Sequence, residues 1–134
     1  MYAKVLVGIL KNDQAFIDAC GLDGNGILKL WPSGDVNQKA SRPYATYLRV
    51  SRTFEHNKSR RGVQNINVQI DFYATNINEA EAMEEAAMNA LDHFAGLVEG
   101  AKVQSIRIQG GGSGFNEGQE SRHRMSEYRM RLNP

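Results

Sequence analysis

Apolar and polar side chains follow two different periods along the chain, and the clearest of them lies at residues 65–74. There, Ile66, Val68, Ile70 and Phe72 are separated by single polar residues. A two-residue period places the apolar side chains on one face of a β-strand and the polar ones on the other. We therefore predict a strand with one buried face in this segment.

Two other segments have the three- to four-residue apolar spacing of amphipathic helices. The first is residues 2–19, which we predict to form one helix that ends at Gly21. The second follows capping residues around Asn76 and is predicted to run for about four to five turns, to the neighbourhood of Gly96. Its apolar stripe consists of Ala80, Met83, Ala87, Ala90, Leu91 and Phe94.

The remaining apolar stretches predict strands of varied length. We expect a short strand at residues 27–31, ended by Pro32, and longer ones at 43–54, 103–108 and 124–132. The last of these has four side chains at alternate positions that face the same way. They are Ser126, Tyr128, Met130 and Leu132.

Residues 43–54 and 65–74 are predicted to pair as an antiparallel hairpin, because the connection between them is polar and ends in glycine. The glycine-rich stretch 110–114 is predicted to be a flexible connection. The two-residue period divides the first hairpin strand into a face with Tyr44, Leu48 and Val50 and a face with Arg49 and Ser51.

This order of elements predicts an α+β fold. Because the strands are joined mostly by hairpin-like links, we expect a mostly antiparallel sheet of about four to five strands with two helices packed on one face. Residues 1–134 are predicted to form a single domain, since no linker or composition change divides the chain.

Composition excludes several classes of protein. The chain has 134 residues, of which 41% are apolar and 23% charged, which is typical of a globular domain. No apolar stretch approaches the ~20 residues of a membrane-spanning helix. A net charge of +1 gives no overall attraction for nucleic acid. Cys20 is the only cysteine, so no internal disulfide can form and a reducing compartment suits the chain.

No motif in the sequence indicates catalysis or cofactor binding. Residues 110–114 lack the lysine and the helix start of a P-loop and the third glycine of a dinucleotide fold. The histidines His56, His93 and His123 do not have metal-ligand spacing, and Cys20 has no evident histidine partner. We predict no catalytic residue, no metal site and no cofactor, and a buried structural role for Cys20.

Charge is segregated along the chain. Residues 49–61 are strongly basic, whereas residues 76–100 contain six acids and no lysine or arginine. Either these are two unrelated solvated faces, or the basic hairpin of one copy meets the acidic helix of the next, which would produce a ring or a filament. The candidate interface residues are Arg49, Arg52, Lys58, Arg60, Arg61, Glu81, Glu84 and Glu85.

A series of short features also follows in a fixed order along nearly the whole chain. They are the helix ended by glycine, Gly26-Ile27 to Trp31-Pro32, Pro43-Tyr44, Arg60-Arg61-Gly62, Val68 to Tyr73 directly before a Glu/Ala-rich helix, and two last strands ending in Tyr128-Arg129-Met130-Arg131-Leu132. In this order they resemble the tail-completion proteins of long-tailed bacteriophages, a family that includes tail terminators and tail-to-head joining proteins.

The resemblance implies a structural virion protein at the head–tail junction, assembled in the host cytoplasm. It implies a ring of six copies that caps the head-proximal end of the tail tube and joins it to the head connector or stopper. The expected partners are other copies of the chain, the tail tube protein and the connector. No membrane or specific nucleic acid is expected as a partner, and genome DNA can pass through such a ring. No catalytic residues are implied.

Two other classes of function are compatible with the residues. A nucleic-acid-binding module would use the basic hairpin 49–61 and the basic C-terminal strand, with Tyr44, Tyr47 and Phe54 stacking on bases. A small-molecule enzyme could also be built on an α+β scaffold. Salt-dependent DNA binding would favour the first of these, and turnover of a substrate the second.

Overall fold

The structure is a computed structural model that describes residues 2–34, 42–55, 62–115 and 122–133. Three helices and six strands are present among them. The helices are α1 (Tyr2–Lys11), α2 (Gln14–Cys20) and α3 (Ile77–Leu91). The strands are β1 (Leu30–Pro32), β2 (Tyr44–Phe54), β3 (Gln64–Ala74), β4 (Gly96–Val98), β5 (Ala101–Phe115) and β6 (Arg122–Asn133).

All six strands form one sheet in the order β1-β2-β3-β6-β5-β4. Every neighbouring pair is antiparallel except β1 and β2, which are parallel. The predicted α+β class and the β2–β3 hairpin are therefore confirmed. The sheet is mixed, with six strands where about four to five were predicted, and three helices where two were predicted.

Strand β3 buries its apolar face, as its alternating sequence pattern predicts. Ile66, Val68, Ile70 and Phe72 are buried beneath the helices, while the polar residues between them lie on the opposite side. The four side chains of β6 that were predicted to face the same way are also buried, and Tyr128 is wholly enclosed. We call the side of the sheet that the helices cover the helix face, and the other side the open face.

Helix α3 packs on β3, β5 and β6, and α2 packs on α3. Asn76 caps α3 as predicted, because its side-chain oxygen accepts a hydrogen bond from the Glu79 N–H at 2.9 Å. Met83 and Leu91 carry the apolar stripe of the helix into the core. The predicted second helix is confirmed.

The predicted N-terminal helix is two helices. Asn12 and Asp13 separate α1 from α2, and the Asp13 carboxylate accepts a hydrogen bond from the Phe16 N–H at 2.9 Å. This cap starts a new helix, since a short side-chain acceptor competes with the backbone carbonyls of the preceding turn. Apolar spacing alone does not reveal such a break. Gly21 ends α2 with a φ of 90°, as predicted.

Helix α1 contacts strands near both ends of the sheet. Tyr2 packs edge-on against Tyr47 of β2, with 6.1 Å between the ring centroids. Gly8 of the same helix faces β4 so closely that a Cβ there would lie 2.9 Å from Val98 Cγ1. Since β2 and β4 stand near opposite ends of the strand order, the sheet curls around α1.

The predicted faces of β2 are correct as far as Arg49 and wrong beyond it, where a β-bulge lies. The core side chains are Ala45 and Tyr47, whereas Tyr44 lies on the open face. The pairing register shifts between Arg49 and Ser51, which leaves Val50 unpaired. One extra residue reverses the alternation beyond it, so Ser51 lies on the open face, whereas a strict two-residue count places it on the same face as Arg49.

Residues 110–114 are part of β5 and not a flexible connection. Gly111 pairs with Ser126 and Phe115 with Arg122, so the glycine stretch continues the β5–β6 ladder. A Cβ at Gly111 would come within 3.0 Å of the Met125 carbonyl oxygen. Glycine therefore allows the two backbones to lie close together here. β4 was not predicted, and β1 begins only at Leu30.

Candidate assembly surfaces

The described part of the predicted basic hairpin is an exposed surface that is both cationic and apolar. Arg49 and Arg52 are exposed on the helix face at the free end of β2, with Val50 50% and Phe54 49% exposed beside them. The Arg52 guanidinium carbon lies 5.0 Å from the Phe54 ring centroid, a cation–π contact. We call these four residues the β2 surface.

Three of the candidate interface residues, Lys58, Arg60 and Arg61, lie outside the described residues, as does His56. The basic side of the predicted interface is therefore represented in the structure by Arg49 and Arg52 alone.

The acidic residues of α3 have different surroundings. Glu84 receives two hydrogen bonds from Arg124 of β6, from Nε at 3.1 Å and from Nη2 at 3.0 Å. Glu81 lies 3.7 Å from the same guanidinium. The Glu84 carboxylate also raises the pKa of Arg124. Glu85 is exposed and forms no ion pair with a described residue.

Glu84 therefore fastens α3 to the sheet within one copy. Each side chain of its pair with Arg124 is only about one-fifth exposed. A two-pronged pair between arginine and carboxylate is stronger and more directional than an exposed ion pair. Of the three predicted acidic residues, Glu81 and Glu85 are the ones with exposed carboxylates.

The basic and acidic sets do not meet within one copy. β2 lies next to the short edge strand β1, whereas α3 covers β3, β5 and β6. No ion pair joins Arg49 or Arg52 to Glu81, Glu84 or Glu85 in the part of the chain that the structure describes. The predicted contact between them stays a prediction about two copies.

The open face carries a cluster of arginines, of which the sequence indicated only those of the basic C-terminal strand. Arg107 of β5 stands directly opposite Arg129 of β6, and Arg131 lies two residues further along β6. Glu55 Oε2 accepts a hydrogen bond from Arg131 Nη2 at 2.7 Å. These side chains line a surface cleft, which we call the arginine cleft. Its residues are Glu55, Asn65, Ser105, Arg107, Gln109, Arg129 and Arg131.

The only signal of the arginine cleft in the sequence is the alternation of arginines at 129 and 131. It becomes a site because β5, β6 and the end of β2 reach the same part of the open face.

Aromatic side chains lie at another part of the open face. Tyr44 stacks on Tyr73 with 5.0 Å between the ring centroids, and Trp31 is tilted against Tyr44 at 5.8 Å. Burial raises the pKa of Tyr73. Tyr47 is buried on the helix face, so Tyr44, Tyr47 and Phe54 do not form the single stacking platform that the nucleic-acid hypothesis requires.

With these surfaces defined, the chain was compared with known families. The model of the family described as tail completion protein gp17 matches residues 24–133. The chain belongs to this family. It is a structural protein of the virion tail, and the predicted resemblance and location are confirmed.

The fold of this family member is also found in a solved structure. A chain in the virion of a native gene transfer agent particle superimposes with a TM-score of 0.78 at 12% sequence identity. The match covers 97% of this chain and 92% of that chain. At this identity the likeness concerns the fold alone. A search of curated protein sequences found no significant match.

In this member of the tail completion family, the cysteine is enclosed in the core and the described histidine side chain lies at the surface. Cys20 is buried, and its thiol donates a hydrogen bond to the Lys29 carbonyl oxygen at 3.3 Å. Burial raises the pKa of the thiol to about 12. His93 is exposed at the end of α3, with Nε2 3.3 Å from Asp92 Oδ2. The side chains of His56 and His123 lie outside the described set.

The described residues contain no group of three or more His, Cys, Asp or Glu side chains that is arranged to hold a metal ion. The helices within the same ranges are too short or too polar to span a membrane.

Proposed function

We propose that this protein caps the head-proximal end of a phage-like tail tube and joins it to the head connector, as a ring of six copies. The observation that carries the proposal is the match of residues 24–133 to the tail completion family. The role is mechanical: the copies bind one another, the tail tube protein and the connector, and no catalytic step is involved.

The proposed contact between copies joins the β2 surface of one to α3 of the next. Arg49 and Arg52 face Glu81 and Glu85 across this contact, and Phe54 supplies apolar area beside the charges. Aromatic and arginine side chains are enriched where protein interfaces are buried, which suits a half-exposed phenylalanine under a guanidinium. Because the two surfaces are different parts of one chain, their contact repeats around a ring instead of closing as a dimer.

Charge complementarity sets the register in this arrangement more than it supplies binding energy. Exposed ion pairs contribute about 0.2 to 1 kcal/mol each, so the apolar contact of Phe54 and Val50 has to supply a large part of the affinity. The Lys58, Arg60 and Arg61 segment extends the same basic sequence and is included in the proposed contact.

Electron microscopy of the purified protein tests the proposal. Incubated with isolated tail tubes, it is expected to form rings with six subunits and to cover one end of each tube. Added to a mixture of heads and tails, it should produce joined particles. A Phe54→Asp variant is expected to lose the rings while staying folded, because position 54 is half exposed in one copy.

The matched control is Leu97→Asp, which places the same charge at an exposed apolar position on β4, outside the proposed contact. The control should form rings as the parent does. A protein that stays monomeric at all concentrations and leaves both tube ends free would contradict the proposed function.

A further inference from the structure

The arginine cleft has an excess of positive charge that the described chain does not neutralise. Arg107 and Arg129 are directly opposite each other in the β5–β6 register, and like charges in such a cross-strand pair repel. Among the described residues, Glu55 is the one carboxylate that lines the cleft, and it accepts hydrogen bonds from Arg131 and from Asn65. Neither Arg107 nor Arg129 forms an ion pair with a described carboxylate.

The surroundings of these arginines do not remove the excess. Lys102 adds a positive charge on the same open face at the near end of β5, whereas Glu127, two residues before Arg129 on β6, offsets only part of the total. Arg107 Nη1 contacts the ring of His93, a neutral or cationic neighbour and never an anionic one. Arg131 Nε is buried without a hydrogen-bond acceptor among the described residues. A ligand with several negative charges would relieve the repulsion that the protein leaves in place.

All the described residues that line the cleft are polar, and this distinguishes between two kinds of anionic partner. Besides the three arginines and Glu55 there are Asn65, Ser105 and Gln109. The buried centre of a protein–protein interface is mostly apolar and contains aromatic side chains beside any arginines, whereas protein–DNA interfaces are more polar, more positively charged and wet. Amide and hydroxyl side chains are common hydrogen-bond donors to phosphate oxygens.

We propose that the arginine cleft binds the sugar–phosphate backbone of double-stranded DNA, without sequence preference. Arg107 and Arg129 would contact phosphate oxygens, and Asn65 and Gln109 would add hydrogen bonds. The cleft is open and extends across β3, β5 and β6, which suits a repeating backbone better than a single phosphate. The inference rests on the proposed function in one respect: DNA is the polyanion that a ring on a tail tube meets.

Glu55 competes with phosphate for Arg131 in this site. Its pKa is lowered chiefly by the hydrogen bond from Arg131, so it is anionic at neutral pH and stands against an incoming phosphate. Removing its charge frees Arg131 and removes a repulsion. The Glu55→Gln variant is therefore expected to bind DNA more tightly than the parent. Misfolding would lower the affinity, so it cannot account for such an increase.

Fluorescence anisotropy with a short labelled DNA duplex tests the site. The double variant R107Q/R129Q is expected to bind on the order of tenfold more weakly at low salt, and its slope of log affinity against log salt should fall by about 2, one for each lost phosphate contact. K4Q/K11Q removes the same charge from exposed positions of α1, outside both the arginine cleft and the proposed contact between copies, and should change the affinity much less. The thermal midpoints of all variants are measured alongside.

Several outcomes would overturn the proposal: no salt-dependent DNA binding by the parent, equal losses in both double variants, or no gain for E55Q. Competition by polyglutamate as strong as that by DNA would assign the cleft to an acidic protein, and competition by inorganic phosphate alone would assign it to a small anion. Either result would contradict a DNA site.

An assay of ring formation distinguishes failure of the DNA site from failure of the proposed function. R107Q/R129Q should still form rings and cover tube ends, since its changes lie outside the β2 surface and α3. Rings that cap tubes without DNA binding would refute the cleft alone, and DNA binding without rings would refute the proposed function alone.

Discussion

At the scale of single residues, the local surroundings decide which reactive side chains have structural roles. Cys20 ends α2 with its thiol enclosed, and its hydrogen bond to Lys29 ties the helix to the start of the sheet. A thiol in apolar surroundings keeps its proton, because the thiolate would lose its hydration there. The sequence-based expectation of a small buried side chain is confirmed at this position.

Cys20 is expected to resist alkylation in the folded protein. Its pKa is raised from 9.0 to about 12, so at pH 9 the folded thiol is almost wholly protonated while an unfolded one is half ionised. Iodoacetamide at that pH, followed by mass spectrometry, should label the native protein far more slowly than the protein in denaturant. Equal rates would show that the thiol is accessible.

The same pKa shift predicts how stability depends on pH. Below pH 9 the thiol is protonated in both states and its contribution to folding is complete. Above pH 9 the unfolded chain loses this proton first, so the contribution falls as the pH rises towards about 12. A Cys20→Ala variant should show a smaller loss of unfolding free energy over this range in urea titrations.

At the scale of elements, the pair of Arg124 and Glu84 joins a helix to a sheet. Arg124 lies on the helix face of β6, two residues before Ser126. Its side chain binds Glu84, which is one helical turn after Ala80 on α3. The sequence shows Glu84 and Glu85 as equivalent members of an acidic helix. Only the packing of α3 on β6 distinguishes them.

Glu84→Gln is therefore expected to destabilise the fold by about 1–2 kcal/mol, because Arg124 loses its charged partner in a partly buried position. Glu85→Gln, the same change one residue on, should alter stability by less than about 0.5 kcal/mol, as expected for an exposed side chain. Urea denaturation of the two variants measures the difference. Equal midpoints would mean that the Arg124 pair is weak in solution.

At the scale of the whole molecule, different surfaces have different chemistry. The β2 surface combines arginine with exposed apolar area, α3 presents carboxylates, and the arginine cleft is wholly polar. A copy with unlike surfaces on different parts of its exterior is suited to directional assembly. The overall charge of +1 conceals this distribution.

Self-association is expected to weaken as salt rises, because exposed charges are screened beyond ~8 Å at physiological ionic strength. The reversal R49E/R52E should weaken it further, and the added reversal E81R/E85R should restore part of it. The control K4E/K102E changes the net charge equally at exposed positions outside the proposed contact. Analytical ultracentrifugation reads the result. Assembly of R49E/R52E as strong as that of the parent at low salt would disprove the charge-matched contact.

The sequence by itself determined the elements whose periodicity is strong and local. The strict alternation of β3, the capped helix α3 and the inward set of β6 are all read correctly, because burial of one face requires a regular period whatever the partner. The family was also recognisable from the order of these elements. Cys20 could be assigned a structural role because no residue near it in sequence could activate it.

Tertiary structure decided the features that depend on contacts between distant segments. The bulge at Val50 reverses the faces of β2 beyond it, and pairing with β6 makes the glycines at 110–114 part of a strand. Arg124 binds Glu84 across 40 residues, and the arginine cleft joins residues from four strands or their ends. Sequence periodicity reports only neighbours along the chain, so side chains that meet through sheet register or helix packing become visible only in the folded protein.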